Sequence, residues 1–295
     1  MGVTGPMRPW SPCKLCDAMD FFRPGFVEQM ERVGELPWFH AKQWEYFQLL
    51  ETRRVYAPNA RVLVGLGCGC ERTLPPLAEG AEEIIATDLY GQAGAWDVAQ
   101  RRPDEVYPEI KNLRVHSMDM RKIDLPPGSA DFVWSLCAIE HVGGIDEVAD
   151  ALRQAGRLLN ETGVLFVSTE YNLGSKPYRT SKTLFLDRSM IEHVIRESGL
   201  FVVAPIELQL TDHPFNIPLW NNARKKYDFV PHITYRHQKL PGKGTFGAVI
   251  SFVLSRSDRK IPMFDESPDL ARVVERLAAR GRKGNRRLAP PWEWF

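Results

Sequence analysis

At 295 residues, with 44% hydrophobic and 25% charged side chains, the chain has the make-up of a globular protein of one large domain or two small ones. A formal net charge of +1 gives no electrostatic ground for a nucleic-acid partner. No apolar run reaches the length that spans a bilayer, and Met1 to Pro12 lacks the apolar centre of a signal peptide, so the cytoplasm is the expected location.

Residues 1–57 precede the first strong strand signal. Pro6, Pro9, Pro12 and Pro24 predict an irregular start, after which Val27, Met30 and Val33 share one face of a helix. A second helix is expected from Trp38 through Leu50. Its aromatic residues Trp38, Phe39, Trp44 and Phe47 either pack on the body of the protein or lid a pocket, and both readings stay open. Cys13 and Cys16 form a C-x-x-C pair, but a structural zinc site takes four ligands, usually from two such pairs. Cys68, Cys70 and Cys137 fall in later core segments. The pair therefore reads as two reduced thiols in the N-terminal segment, and no metal site is predicted.

Arg61 to Leu66 is an apolar, β-forming run that ends in glycines at alternate positions, Gly65, Gly67 and Gly69. Glycines there let a ligand approach the backbone, and the chain next enters a helix start whose N–H groups face outward. This is a seat for a nucleotide-like cofactor. The G-x-G-x-G spacing matches neither the dinucleotide fingerprint nor the phosphate loop. Glu83 to Asp88 is a second strand ending in an acid, 19 residues after Gly69. In an open parallel sheet ligands bind at the carboxyl ends of strands, so Asp88 would lie beside the glycine turn and accept from two ribose hydroxyls. Leu113 to Asp119 repeats the pattern, and Asp131 to Cys137 leads into Ala138-Ile139-Glu140-His141-Val142.

From GLGCGCE, IIATDLY, HSMDM, DFVWSLCAIEHVGG and LRQAGRLLNETGVLFVSTE, residues 60–170 resemble the class I S-adenosylmethionine-dependent methyltransferases, with a weaker match near 246–255. The resemblance implies an α/β, doubly wound, seven-stranded sheet of order 3-2-1-4-5-7-6 with strand seven antiparallel, a Rossmann-like methyltransferase fold. It implies S-adenosyl-L-methionine as cofactor and S-adenosyl-L-homocysteine as product. By the same resemblance Gly65, Gly67 and Gly69 pass close to the methionine part of the cofactor and Asp88 binds the ribose. Leu89 packs on the adenine, Asp119 accepts from its amino group, Met120 offers a backbone N–H, and Leu136 and Cys137 lie beneath the sulfonium. Two positions depart from the family pattern: Gly65 stands where an acid is common, and Glu71 where a glycine is. Glu71 is read as the replacement for the missing acid.

The catalytic domain is expected over 58–257, with helices near 71–79, 145–159 and 187–198, the last between an Asp187 N-cap and a Gly199 C-cap. An insertion at 207–245 holds Asp212, His213, Phe215, Trp220, Asn221, Asn222, Tyr227, His232, Tyr235 and His237, and is assigned to substrate selection. The remainder, 258–295, reads as a basic tail with Arg276, Arg280, Arg282, Lys283, Arg286 and Arg287. Its closing aromatics would dock on the body of the protein or on a second copy in a homodimer.

A hydroxyl acceptor must lose a proton as it takes the methyl group. His141 is the first candidate base because it follows strand four at the carboxyl edge. Glu140 and, from the insertion, His213 are the others, while Glu170 and Tyr171 are expected to face the same opening. Cys137-Ala138-Ile139 stand where amino-group methylators carry an N-P-P-Y type motif. The expected reaction is therefore O-methylation of a small-molecule or glycan-intermediate acceptor. Two rivals stay open: transfer to nitrogen, carbon or a peptide, and a non-catalytic cofactor-binding partner subunit.

Overall fold

The computed structural model describes residues 8–37, 39–91, 101–217, 219–220, 234–240 and 243–284. The strands are β1 (Lys14–Leu15), β2 (Val62–Leu66), β3 (Glu83–Asp88), β4 (Leu113–Ser117), β5 (Ala130–Leu136), β6 (Leu159–Asn172), β7 (Tyr178–Arg179), β8 (Leu184–Phe185), β9 (Phe201–Val202), β10 (Ile206–Leu208), β11 (Leu219–Trp220), β12 (Thr234–Leu240), β13 (Lys243–Ser255) and β14 (Phe264–Glu266). The helices are α1 (Phe26–Arg32), α2 (Ala41–Tyr56), α3 (Leu74–Ala78), α4 (Pro103–Val106), α5 (Ile145–Leu158), α6 (Arg188–Ser198) and α7 (Leu270–Gly284). No described helix is long and apolar enough to cross a membrane.

β4, β3, β2, β5 and β6 lie side by side and parallel, and β13 joins the edge of β6 antiparallel. Leu63, Val64, Ile84, Phe132, Val133 and Phe166 are buried, as in strands covered on both faces. β9 pairs with β13, so the expected order 3-2-1-4-5-7-6, with strand seven antiparallel, is recovered as β4-β3-β2-β5-β6-β13-β9. The strand count is a correction, because among the described residues the sheet has twelve strands rather than seven. The far edge of β13 is shared by three short strands from distant parts of the chain: β12 against 243–248, β1 against Ile250 and Ser251, and β9 against Leu254 and Ser255. β10 then pairs parallel to β1, and β14 to β10.

The N-terminal segment is thus part of the sheet and not only a cap. Asp20, 1% exposed, anchors it. Its carboxylate accepts from Lys14 Nζ at 2.7 Å, Arg23 Nε at 2.9 Å and Trp44 Nε1 at 2.9 Å, joining β1 to α2. Burial opposes its charge, but Lys14 and Arg23 outweigh burial and hold its pKa below the usual carboxylate value. A neighbouring network ties the start of the insertion to the same segment: Asn216, fully buried, donates to Asp17 Oδ2 at 2.9 Å, and Thr211 N–H donates to Asp17 at 2.6 Å. Cys13 and Cys16 are buried, unbridged thiols on either side of β1.

α2 begins at Ala41, later than the aromatic run suggested, because His40 takes the N-cap and accepts from Lys42 N–H at 3.0 Å. It continues to Tyr56. The predicted α6 is found with Asp187 accepting from Met190 N–H at 2.9 Å and Gly199 left-handed at φ 72°. The expected tail is also corrected. Leu270, Val273 and Leu277 are buried along α7, and Arg276 and Arg280 reach Asp212 at 3.0 and 3.3 Å. Residues 285–295, Asn221, Asn222, Tyr227 and His232 lie outside the described residues.

Asp20→Ala would strand the buried Lys14 ammonium, so unfolding free energy falls by about 3–5 kcal/mol in urea titrations near neutral pH. The stability Asp20 brings is present above the unfolded carboxylate pKa and is lost as pH falls through the lower folded value, so the variant's deficit narrows in acid. An unchanged midpoint at neutral pH would contradict this role.

Candidate active site

The chain leaves β2 through a turn that only glycine fits at key points. Gly67 has φ 63°, and a Cβ there would stand 2.6 Å from Met120 Cε and 2.7 Å from Ala138 Cβ. Gly69, at φ 47°, gives its N–H to Asp88 Oδ2 at 2.9 Å, and Leu89 gives its own to Asp88 Oδ1 at 2.7 Å. The Asp88 carboxylate is thereby aimed by two backbone donors, while each oxygen keeps acceptor capacity. Burial raises its pKa. Tyr90 OH locks the turn from behind through the Gly69 carbonyl at 2.7 Å.

Gly65 has a different reason to be glycine. A Cβ would lie 2.5 Å from the Trp134 ring, which is fully buried on β5. The volume beside Gly65 therefore belongs to an indole and not to a ligand. Trp134 Nε1 in turn donates to Glu71 Oε2 at 3.1 Å. The missing acid at position 65 and the unusual acid at 71 are thus two ends of one packing arrangement. Burial pushes the Glu71 pKa up to about 8, against the opposing pull of Lys42 and the Trp134 hydrogen bond.

Lys42 comes from α2. Its ammonium donates to Glu45 Oε2 at 2.9 Å and to the Leu136 carbonyl at 3.4 Å. Burial disfavours its charge, but Glu45 and Glu71 outweigh it and keep the lysine protonated. Glu45 also accepts from Ser168 Oγ on β6 at 2.7 Å. α2 is in this way fastened across the carboxyl ends of β5 and β6.

Cys137 follows β5 with φ 49°, a left-handed backbone rare for a residue with a side chain, and its N–H is held by the Ser168 carbonyl at 2.9 Å. Ligand atoms of Cys137, Glu140 and Glu170 lie within 4.8 Å of one another. Glu140 is fully buried. Oε2 accepts from Thr169 Oγ1 at 2.9 Å, and Oε1 has no hydrogen-bond partner among the described residues. Burial raises the pKa of both Glu140 and the Cys137 thiol.

The predicted residues separate into groups. Gly67, Gly69, Asp88, Leu89, Met120, Leu136 and Cys137 gather along one strand edge with Glu71 and Glu140. Asp119 is at that edge but engaged by Arg121, with the shortest contact 2.6 Å. His141 Nδ1 sits 2.7 Å from the Lys182 carbonyl, an acceptor, which places a proton on Nδ1. His213 caps a short turn of helix by accepting from Phe215 N–H at 3.2 Å and packs against Phe22 and Phe215; none of these contacts belongs to the strand-edge cluster. Glu170 and Tyr171 do not share one opening. β6 runs on to Asn172, so neighbours alternate between faces, and Tyr171 is set among Asp187, Arg188 and Glu266.

Sequence reasoning missed Lys42, Glu45, Trp134 and Thr169. Only the Lys42–Glu45 spacing of i,i+3 on an aromatic helix hinted at a charged pair meeting the core. Trp134→Phe keeps the space at Gly65 filled but removes the indole donor, so the Glu71 pKa should rise further above about 8, as read by carboxyl-carbon NMR. A fall or no change would show that the indole does not stabilise the charged form.

A methyltransferase-domain family profile matches residues 64–167, from β2 through most of β6. No curated protein matches the chain significantly. Among solved structures, a geranyl diphosphate methyltransferase in complex with S-adenosylmethionine is 14% identical, covering 83% of this chain and 97% of that one at a TM-score of 0.51. The geranyl diphosphate C-methyltransferase of Streptomyces coelicolor A3(2) is 14% identical, with 83% and 88% covered and a TM-score of 0.51. The cyclase SpnF is 16% identical over 55% of this chain and 59% of that one, at a TM-score of 0.46, so the chain spans less than two thirds of that relative's length. At such identities the two likenesses with a TM-score of 0.51 establish a shared fold. The family match runs over the same residues that build the glycine turn and the acid-ended strands, so residues 64–167 form a methyltransferase domain of the kind that uses S-adenosylmethionine.

Proposed function

We propose that the chain methylates a hydroxyl oxygen of a small-molecule or saccharide-type acceptor held at the ends of β5 and β6. S-adenosylmethionine, when bound, supplies an electrophilic methyl group. Its amino-acid end is a zwitterion, and Lys42 with Glu71 offers one charge of each sign beside the glycine turn. Asp88, already oriented by two backbone N–H groups, accepts from the ribose hydroxyls. Asp119 and Met120 serve the adenine with Leu89, once Asp119 shares its Arg121 partner. Leu136 and Cys137 form the floor under the reacting centre.

The observation that carries the acceptor reading is the Oε1 atom of Glu140, buried beside Cys137 with no partner among the described residues. A hydroxyl donating to that oxygen would satisfy it, and the bond would turn one of the hydroxyl's lone pairs toward the methyl group. Thr169 holds the other carboxylate oxygen, so the side chain is preset. α2 covers this edge and excludes water, which strengthens each of these contacts. His141, oriented by the Lys182 carbonyl at Nδ1, follows in sequence as the second proton acceptor.

Two outcomes test the reading. Glu140→Gln should lower kcat by about 10²-fold or more while S-adenosylmethionine affinity stays within a few-fold, measured as S-adenosylhomocysteine formed with hydroxylated acceptors. Methyl transfer confined to amines, or no cofactor binding by calorimetry, would refute it. For the cofactor, affinity should rise as pH increases toward about 8, because the cofactor's ammonium selects the ionised Glu71, and should fall again as that ammonium loses its own proton. Binding below that pH should release a proton, and Glu71→Gln should abolish both the rise and the release.

A further inference from the structure

We propose that Cys137, Glu140 and Glu170 bind one divalent metal ion of the zinc class, which holds the acceptor oxygen for methyl transfer. The inference rests on the reading of this edge as the acceptor site and deepens it: Glu140 Oε1 then holds the acceptor oxygen through the ion instead of through a direct hydrogen bond. One ligand atom from each residue lies within 4.8 Å of the other two. A tetrahedral ion with bonds of about 2.0–2.3 Å brings its ligand atoms to about 3.5 Å from one another, so the three side chains close in by roughly 1 Å on loading.

The independent observation is Glu140. It is fully buried, its Oε2 is committed to Thr169, and its Oε1 has no hydrogen-bond partner among the described residues. A cation satisfies such an oxygen where the cluster's own neighbours do not. Lys42 does not satisfy it, because that ammonium donates to Glu45 and the Leu136 carbonyl. Cys137 adds a backbone signal. A left-handed non-glycine residue is costly, and here the Ser168 carbonyl holds it in place beside the two carboxylates.

Ligand chemistry selects the ion. A thiolate with two carboxylates suits zinc or cobalt, whereas magnesium favours an octahedron of oxygens. Three protein ligands leave the fourth position open, as in catalytic rather than structural zinc sites. Three anionic ligands around a divalent ion leave a net negative charge, so a sulfonium can sit close by. The Cys137 thiol proton leaves to solvent on loading. The acceptor hydroxyl gives its proton to His141 as its oxygen takes the open position. An oxygen lone pair then forms the O–CH₃ bond while the S–CH₃ bond breaks and its electron pair stays on sulfur.

The test uses the full-length protein, stripped with a chelator and titrated with Co²⁺, then with Zn²⁺ as competitor. The expected result is one ion per chain with a thiolate-to-cobalt charge-transfer band in the near ultraviolet, lost in Cys137→Ser. Glu140→Gln should weaken binding by about 10–100-fold. Circular dichroism checks that both variants fold, and if either does not, the wild-type stoichiometry and band decide. Wild-type protein that takes up no ion, or a band that survives Cys137→Ser, overturns the proposal. Cofactor binding and methyl transfer are measured on the same stripped samples. Full transfer without metal sinks the metal site alone, whereas loss of cofactor binding in stripped and reloaded protein alike sinks the underlying acceptor reading.

Discussion

The buried carboxylate of Asp20 is the constraint on which the rest of the structure leans. It gathers an ammonium from β1, a guanidinium from the turn that follows and an indole N–H from α2. Breaking it would cost far more than a surface ion pair, because its partners are also withdrawn from water. The geometric consequence reaches the site. α2 is fixed at Trp44 from one side, and its next polar residues, Lys42 and Glu45, are pressed onto the carboxyl ends of β5 and β6. A change some distance from the reacting centre would therefore move the charged groups that define it.

A second dependency runs through Gly65. In a parallel sheet flanked on both faces, the volume above a central strand is filled by whichever neighbour is largest. Here that neighbour is Trp134. The indole excludes any side chain at position 65 and supplies the N–H that holds Glu71. One packing choice thus moves a negative charge from the strand to the turn. Glu71 is then held in a poorly solvated region, and burial raises its proton affinity in spite of the nearby Lys42. Function and packing share the same atoms here, and neither can be altered alone.

Much of the core was legible along the chain because parallel strands covered on both faces leave continuous apolar runs. Val62–Leu66, Glu83–Asp88 and Ala130–Leu136 fall where their β-forming residues end in glycine, acid or cysteine. Asp187 and Gly199 bounded α6 by capping chemistry alone. The two-residue strand β1 could not be read that way. It carries too few residues for a period, and its strand character comes from pairing with β13 and β10. α7 was misjudged because its arginines dominate the composition, while Asp212, 64 residues before Arg276, provides the partner that orders them.

The sequence by itself determined the order of the central strands, the glycine turn and the acids at 88 and 119, since each depends on local propensity or on spacing within one strand–helix unit. Only the tertiary structure decided which side chains meet. Lys42 and Glu45 reach Leu136 and Ser168 across roughly a hundred residues, and Glu140 finds Thr169 across an intervening helix. Such meetings follow from how helices and strands are laid against each other. Buried charge then enforces them, because a polar group taken from water must find its partner wherever the fold puts one.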